Sequence, residues 1–219
     1  MIQRKNRIVL YQPKQVNVSH GRESSKDMLP LELLTISAYP LADGYEVEIL
    51  DGSLYSGDEG HRKLIDMCEG AMMVGTTGIL GYMVNDGYQA MSKVKAKHPD
   101  LPAVIGGWFA SVRPDLMLET GLYDAVILGQ GELTFRDLVR AIDAGSDLEE
   151  VSGLALWRDG AVHNTVRRAV VGWEEILPMP WHLIDIEPYR VAQLRPASVR
   201  DVIRLNSPPW IGYDKPYFG

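Results

Sequence analysis

Five short apolar runs, each followed by a stretch of helical period, constrain this 219-residue chain more than any other feature. "RIVLY" (7–11), "YEVEIL" (45–50), "AMMVGTT" (71–77), "PAVIGG" (102–107) and "DAVILG" (124–129) read as strands. They are apolar or alternating, and turn residues bound them. Between the first two, Leu31, Leu34, Ala38 and Leu41 make one helical stripe, with Pro30 suited to the first turn and Gly44 to the stop. His61, Leu64, Ile65 and Cys68 predict a second helix. Val84, Tyr88, Met91 and Val94 predict a third, closed before Pro99. A short helix is expected around 114–120, and Phe135, Leu138, Val139 and Ile142 predict the last of the series. Parallel neighbours need a crossover connection, so five such units in a row imply an α/β fold: a mostly parallel sheet with helices on both faces.

The pattern changes after about residue 148. "GLALWRDGAVHNTVRR" (153–168) alternates on both sides of Asp159-Gly160, a hairpin signal. From Trp173 onward prolines and aromatics replace any period, which predicts an extended arm packed on something else. The expected organisation is a sheet domain over 1–148, a β-hairpin appendage over 149–172 and a linker over 173–219.

Composition excludes several functions. Net charge is −7 with no basic cluster, which argues against a nucleic-acid partner. The single cysteine, Cys68, rules out a disulfide framework or a cysteine-held metal cluster within these residues, and suits a reducing compartment. No apolar run reaches membrane-spanning length, and "MIQRKNRIVLYQP" lacks the apolar core of a signal peptide. The cytoplasm is the expected location.

In a parallel sheet ligands bind at the carboxyl ends of the strands. The loops there are unusual in this chain. A long polar stretch runs from Gln12 to Leu29, and glycine-bearing turns follow strands three ("GTTGILG", 75–81), four ("GGWFAS", 106–111) and five ("GQGE", 129–132). One such turn is an ordinary tight turn. Three on one edge leave the backbone bare where a large, flat or elongated ligand can lie, since glycine carries an entropic cost that positive φ or close approach must justify. No G-x-G-x-x-G follows the first strand and no G-x-x-x-x-G-K-[ST] occurs, so the edge is not built for a dinucleotide or a triphosphate. Asp51 alone does not make a phosphoacceptor's acidic cluster.

"LPLELLTISAYPLADGYEVEILDG" (29–52), "VIGGWFASVRPDLMLE" (104–119) and "VILGQGELTFRDLV" (126–139) resemble the N-terminal cobalamin-binding domain of cobalamin-dependent radical SAM enzymes. "VSGLALWRDG" (151–160) and "WEEILPMPWHLIDIEPY" (173–189) are similar to the hairpin and linker that precede the catalytic barrel in that family. The resemblance implies a Rossmann-like domain holding cobalamin at its carboxyl edge, with the corrin over the loops and the nucleotide tail between strands and helices. Thr76, Thr77 and Gly78 then match the hydroxyl-bearing turn that contacts the tail, Gly106 and Gly107 the double glycine, and Gly129 and Gly131 the turn after the last strand. Gln130 stands where the family often has an acid. Glu132 belongs to the same matched turn, but it reads more readily as a first-turn acid favoured by the helix dipole than as a ligand contact. Trp108 and Phe109 can stack on the cofactor or pack in the core, while Tyr11, Gln12 and Pro13 can line the corrin face.

No D-x-H-x-x-G supplies an axial histidine. His20 reads as a solvated loop residue, and His61, His98, His163 and His182 as surface or linker residues, so no metal ligand and no catalytic residue is expected in this chain. The resemblance implies a parent enzyme, a methyltransferase using methylcobalamin. S-adenosylmethionine and a 4Fe–4S cluster held by C-x-x-x-C-x-x-C would belong to a barrel of the same polypeptide, expected beyond "DKPYFG". Two rival readings are a stand-alone corrinoid carrier or sensor, and a docking domain that kept the fold but lost cobalamin.

Overall fold

The structure, a computed structural model, describes residues 6–15, 28–79 and 81–193. His20, most of the first long loop and the chain beyond 193 lie outside the described residues. The expected series is present: β1 (Arg7–Gln12), α1 (Leu31–Ala42), β2 (Glu46–Asp51), α2 (Glu59–Met67), β3 (Met73–Thr77), α3 (Tyr82–Lys97) and β4 (Ala103–Gly106). It continues through α4 (Trp108–Val112), α5 (Pro114–Leu118), β5 (Ala125–Ile127), α6 (Glu132–Ala144), β6 (Leu154–Arg158), β7 (Ala161–Asn164) and α7 (Glu187–Gln193). Where one short helix is expected after β4, two five-residue helices form, α4 starting directly at Trp108.

The strands make one sheet in the order β2-β1-β3-β4-β5-β6-β7. β1 to β5 are parallel. The sheet has seven strands because the hairpin does not stand apart: β6 pairs antiparallel with β5, and β7 with β6. That pairing shields the edge β5 would otherwise leave open. Strand order reverses between β1 and β3, so right-handed crossovers send α1 and α2 to opposite faces.

Alternation along the strands divides the interior in two. Val9, Tyr11, Val74, Ile105 and Val126 pack with Leu64 of α2 and Ala90, Met91 and Val94 of α3. Ile8, Leu10, Met73, Val104, Ala125 and Ile127 pack with Leu33 of α1 and Phe135, Leu138 and Val139 of α6. Each large side chain fully buried there contributes about 2 kcal/mol. A forked ion pair from Arg140 on α6 to Asp43 at the end of α1 (2.7 Å for each bond) ties these two helices together. Tyr45 adds a bond to Asp143 at 2.8 Å. Both ties lie at the helices' carboxyl ends. At their amino ends, the same two helices frame an opening.

Past the hairpin the chain is less extended than expected. Short 3₁₀ turns at Trp173–Glu175 and Trp181–Leu183 lead into α7. Tyr39 on α1 donates to Glu175 O at 2.9 Å. Tyr189 on α7, only 1% exposed, donates to Asp51 Oδ2 at 2.7 Å. The segment is thereby strapped to the carboxyl end of β2.

Candidate functional site

On the α1/α6 face the strands end in small residues. Leu10, Gly75 and Val104 lie side by side in register, and Thr77 and Gly106 follow one pleat further along. A methyl group added at Gly75 would come within 2.8 Å of Leu10 Cδ2. Side chains thin out just where α1 and α6 arrive with their amino ends, and the result is a cleft of about 250 Å³. Leu10, Leu33, Val104, Ile127 and Phe135 make its apolar lining, and Thr35, Ile36, Gln130, Glu32 and Glu132 join them around it.

The eleven candidate residues separate into two groups. Thr76, Thr77, Gly106, Gly107, Gly129, Gln130 and Gly131 all line this one cleft. Gln130 also spans to the post-hairpin chain, its Oε1 accepting from the Val171 N–H at 2.6 Å. Gly78, Trp108, Gln12 and Pro13 do not line it. Gly78 supports it from behind: its N–H donates to Gly106 O and its carbonyl accepts from Phe109 N–H, each at 3.0 Å. Trp108 is 71% exposed, so it neither plugs the cleft nor joins the core, whereas Phe109 packs against the α2/α3 side. Pro13 rests near Gly87 of α3 on that same side. Gln12 is 1% exposed with neither amide atom hydrogen-bonded, and alternation puts it on Leu10's face.

Sequence reasoning missed Glu32, Thr35 and Ile36, which α1 contributes to the cleft. One oxygen of Glu32 and one of Glu132 are buried without a hydrogen-bond partner among the described residues. Buried polar atoms are normally paired, so such atoms mark places where a partner is missing.

The opposite face carries a correction. His61 is 2% exposed, not at the surface as expected. Its Nε2 meets Asp86 Oδ1 at 3.0 Å and its Nδ1 meets Lys93 Nζ at 3.1 Å. Asp86 also accepts from Tyr11 Oη at 2.7 Å and from the Lys14 N–H at 2.9 Å. Burial raises the Asp86 pKa, but the bonds from His61, Lys14 and Tyr11 outweigh it and hold the carboxyl below its ordinary value. The network pins the first residues of the long loop after β1 to α2 and α3. His98 is half-buried against Ile65 O at 3.0 Å, while His163 and His182 are exposed as expected. Cys68 is a free, buried thiol whose pKa burial pushes up to about 12, so it is no ready nucleophile.

Residues 21–139, more than half of the chain, match the sequence model of the B12 binding domain. The chain belongs to that family. A methyltransferase of Pyrococcus horikoshii, itself uncharacterized, is 32% identical over 120 residues, which cover 54% of this chain and 26% of that protein. The anaerobic magnesium-protoporphyrin IX monomethyl ester cyclase of Synechocystis is 23% identical over 190 residues, 84% of this chain and 37% of the cyclase. This chain therefore spans well under half the length of these curated relatives. Among solved structures, the radical S-adenosylmethionine methyltransferase TsrM of Kitasatospora setae, with cobalamin and a 4Fe–4S cluster bound, superimposes with a TM-score of 0.64 at 21% identity, over 80% of this chain and 31% of TsrM. OxsB, a cobalamin-dependent S-adenosylmethionine radical enzyme with aqua-cobalamin and S-adenosylmethionine bound, gives 0.68 at 20% identity, over 85% of this chain and 26% of OxsB. These likenesses establish the fold. The chain is a B12-binding domain whose fold resembles that of the corresponding parts of TsrM and OxsB.

The cleft residues fit a corrinoid's nucleotide arm. An apolar floor suits a flat base, bare glycine walls admit it, and the orphaned oxygens of Glu32 and Glu132 await donors.

Proposed function

We propose that this chain is the cobalamin-holding part of a cobalamin-dependent radical SAM enzyme of the methyltransferase type. S-adenosylmethionine and a 4Fe–4S cluster would be held by a barrel in the same polypeptide. The observation that carries this reading is the cleft between the amino ends of α1 and α6, open at the carboxyl edge of the sheet in a chain of the B12-binding family. When bound, cobalamin supplies a cobalt centre that can carry and release a methyl group. Everything else is the work of this chain's own residues. Leu10, Val104, Ile127 and Phe135 keep water from the base, and Thr76, Thr77, Gly106, Gly107, Gly129, Gln130 and Gly131 shape the walls around the arm. Gln12, whose buried amide has no partner among the described residues, and Pro13 stand at the carboxyl end of β1, where they would border a corrin held at that edge. No histidine lines the cleft among the described residues, so the described part offers the ligand apolar contact and hydrogen-bond partners rather than an imidazole. Trp108, exposed beside the edge, is free to stack on the ring.

A docking domain that had lost cobalamin would fill its glycine turns with bulk, and the open cleft speaks against that. Among the described residues no helix is long and apolar enough to cross a membrane. We place the protein in the cytoplasm, in keeping with its one free, buried cysteine.

The test is direct. The purified chain is mixed with hydroxocobalamin, gel-filtered and read for corrinoid absorbance in the protein peak. Stoichiometric retention is expected. Gly106→Leu should abolish it without unfolding the chain, because the position faces the cleft and a Cβ there meets only Ile127 Cβ at 3.6 Å. A wild-type peak without corrinoid would refute the reading.

A further inference from the structure

Glu32 and Glu132 occupy the first turns of α1 and α6, the two helices that frame the cleft. An acid in a first turn complements the helix dipole, a gain that does not require its oxygens to be shut off from water. The dipole does not account for an oxygen of each residue being buried without a donor, which costs free energy that nothing in the described chain offsets. Two acceptors that lack donors among the described residues, both beside one cleft, call for a ligand group that donates.

The chemistry of the ligand narrows the choice. A cleft of about 250 Å³ admits a body of nucleoside size and is too small for a corrin ring. Within a nucleotide arm, the base joined to its sugar has no N–H, and the phosphodiester is an anion without a proton to give. The ribose hydroxyls are the donors that enter. A carboxylate is the strongest neutral-pH acceptor for a hydroxyl and also repels a phosphate, so it favours the sugar at this depth.

Resting on the cobalamin reading above, we infer that Glu32 and Glu132 accept hydrogen bonds from the ribose of the nucleotide arm and thereby select a complete cobalamin over a corrinoid that lacks the nucleotide. Neither residue is needed to hold the ring itself. Glu32 also acts on Asp51, adding slightly to the rise in that carboxyl's pKa, so Glu132 is the cleaner position to alter.

The experiment compares hydroxocobalamin with dicyanocobinamide, which keeps the corrin and its amides but has no nucleotide. Binding to the 219-residue chain is measured by equilibrium dialysis for the wild type, Glu132→Met and Glu32→Met. Methionine keeps the side chain's length and removes both acceptors. Each substitution should weaken cobalamin binding by about tenfold or more and leave cobinamide binding unchanged. The ligand-free melting temperature should stay level or rise, because an unpaired buried acceptor is gone; a purely structural role would lower it. Equal losses for the two corrinoids, or no loss for either, would overturn the ribose assignment while leaving the cofactor site standing. A wild-type chain that retains no cobalamin would instead bring down the underlying reading.

Discussion

Gly107 offers the sharpest test of how the cleft is built. Its φ is +94° and its ψ 177°, a backbone region that only glycine occupies without strain. A Cβ there would lie 2.7 Å from Thr77 Oγ1, 2.8 Å from Gly78 O and 3.0 Å from Gly78 N. The threonine hydroxyl could rotate away, but the Gly78 backbone cannot: its N–H and C=O are bonded to Gly106 and Phe109, each at 3.0 Å. In Gly107→Ala the backbone strain costs about 1–3 kcal/mol and the overlap adds about 1–3 more. For a domain of this size each kcal/mol lowers the melting temperature by roughly 2–4 °C, so a drop of about 10 °C is expected by circular dichroism. Gly70→Ala is the control. Its φ is +70° with nothing within 4 Å of the new methyl, so it should lose only the roughly 1–2 kcal/mol of left-handed strain. Equal melting temperatures for the two variants would refute the claim that Gly107 is required by the contact between the turns after β3 and β4.

Two further outcomes follow from the buried polar groups. Asp86 titrates below its ordinary value, so its contribution is fully present above the unfolded pKa and is lost as pH falls through the folded one. Asp86→Asn should therefore cost about 3 kcal/mol in urea unfolding near neutral pH, and the gap to wild type should narrow on acidification below about pH 4. A gap independent of pH would exclude an ionised Asp86. Burial raises the pKa of Asp51 against the opposing bonds from Tyr189 and Ser53, so its contribution is favourable below the unfolded pKa and lost as pH rises through the folded one. Tyr189→Phe removes one of those donors; proteolytic cleavage within 173–193 should quicken and stability should fall by about 1–2 kcal/mol at neutral pH, whereas unchanged cleavage would deny the strap.

Four of the five parallel strands were legible as nearly unbroken apolar runs, the mark of a strand buried on both faces, and the edge strand β2 was legible from its alternation. Asp159-Gly160 announced the hairpin, and Asp159 does adopt a positive φ of 51°. What could not be read was which strand the hairpin would join, since pairing of β6 with β5 is set by the sheet's open edge and not by local pattern. Helix α4 escaped notice because "WFASV" is too short to show a period and starts only because Gly107 turns the chain so sharply. His61 sat within the apolar stripe of α2, yet its partner Asp86 lies 25 positions away on α3 and carries no signal of its own. The glycine turns pointed to the right edge. The part of the cleft contributed by α1 stayed hidden, because Glu32, Thr35 and Ile36 look like an ordinary helix flank until α6 is seen to stand off from them.

The two faces of the sheet thus serve different ends. On the α2/α3 side, every polar group of Asp86, His61 and Tyr11 finds a partner, which fixes the exit of β1 and with it the base of the loop that follows. On the α1/α6 side, buried polar atoms of Gln12, Glu32, Glu132 and Thr134 have no partner among the described residues, and side chains give way to glycine. A fold gains nothing from unpaired buried acceptors by itself. Their confinement to the face whose helices are tied at one end and parted at the other is what a site waiting for a ligand requires. The strap adds the last element: through Tyr189 and Asp51 it holds α7 at the carboxyl end of β2, so the last described residues sit on the same edge of the sheet as the mouth of the cleft.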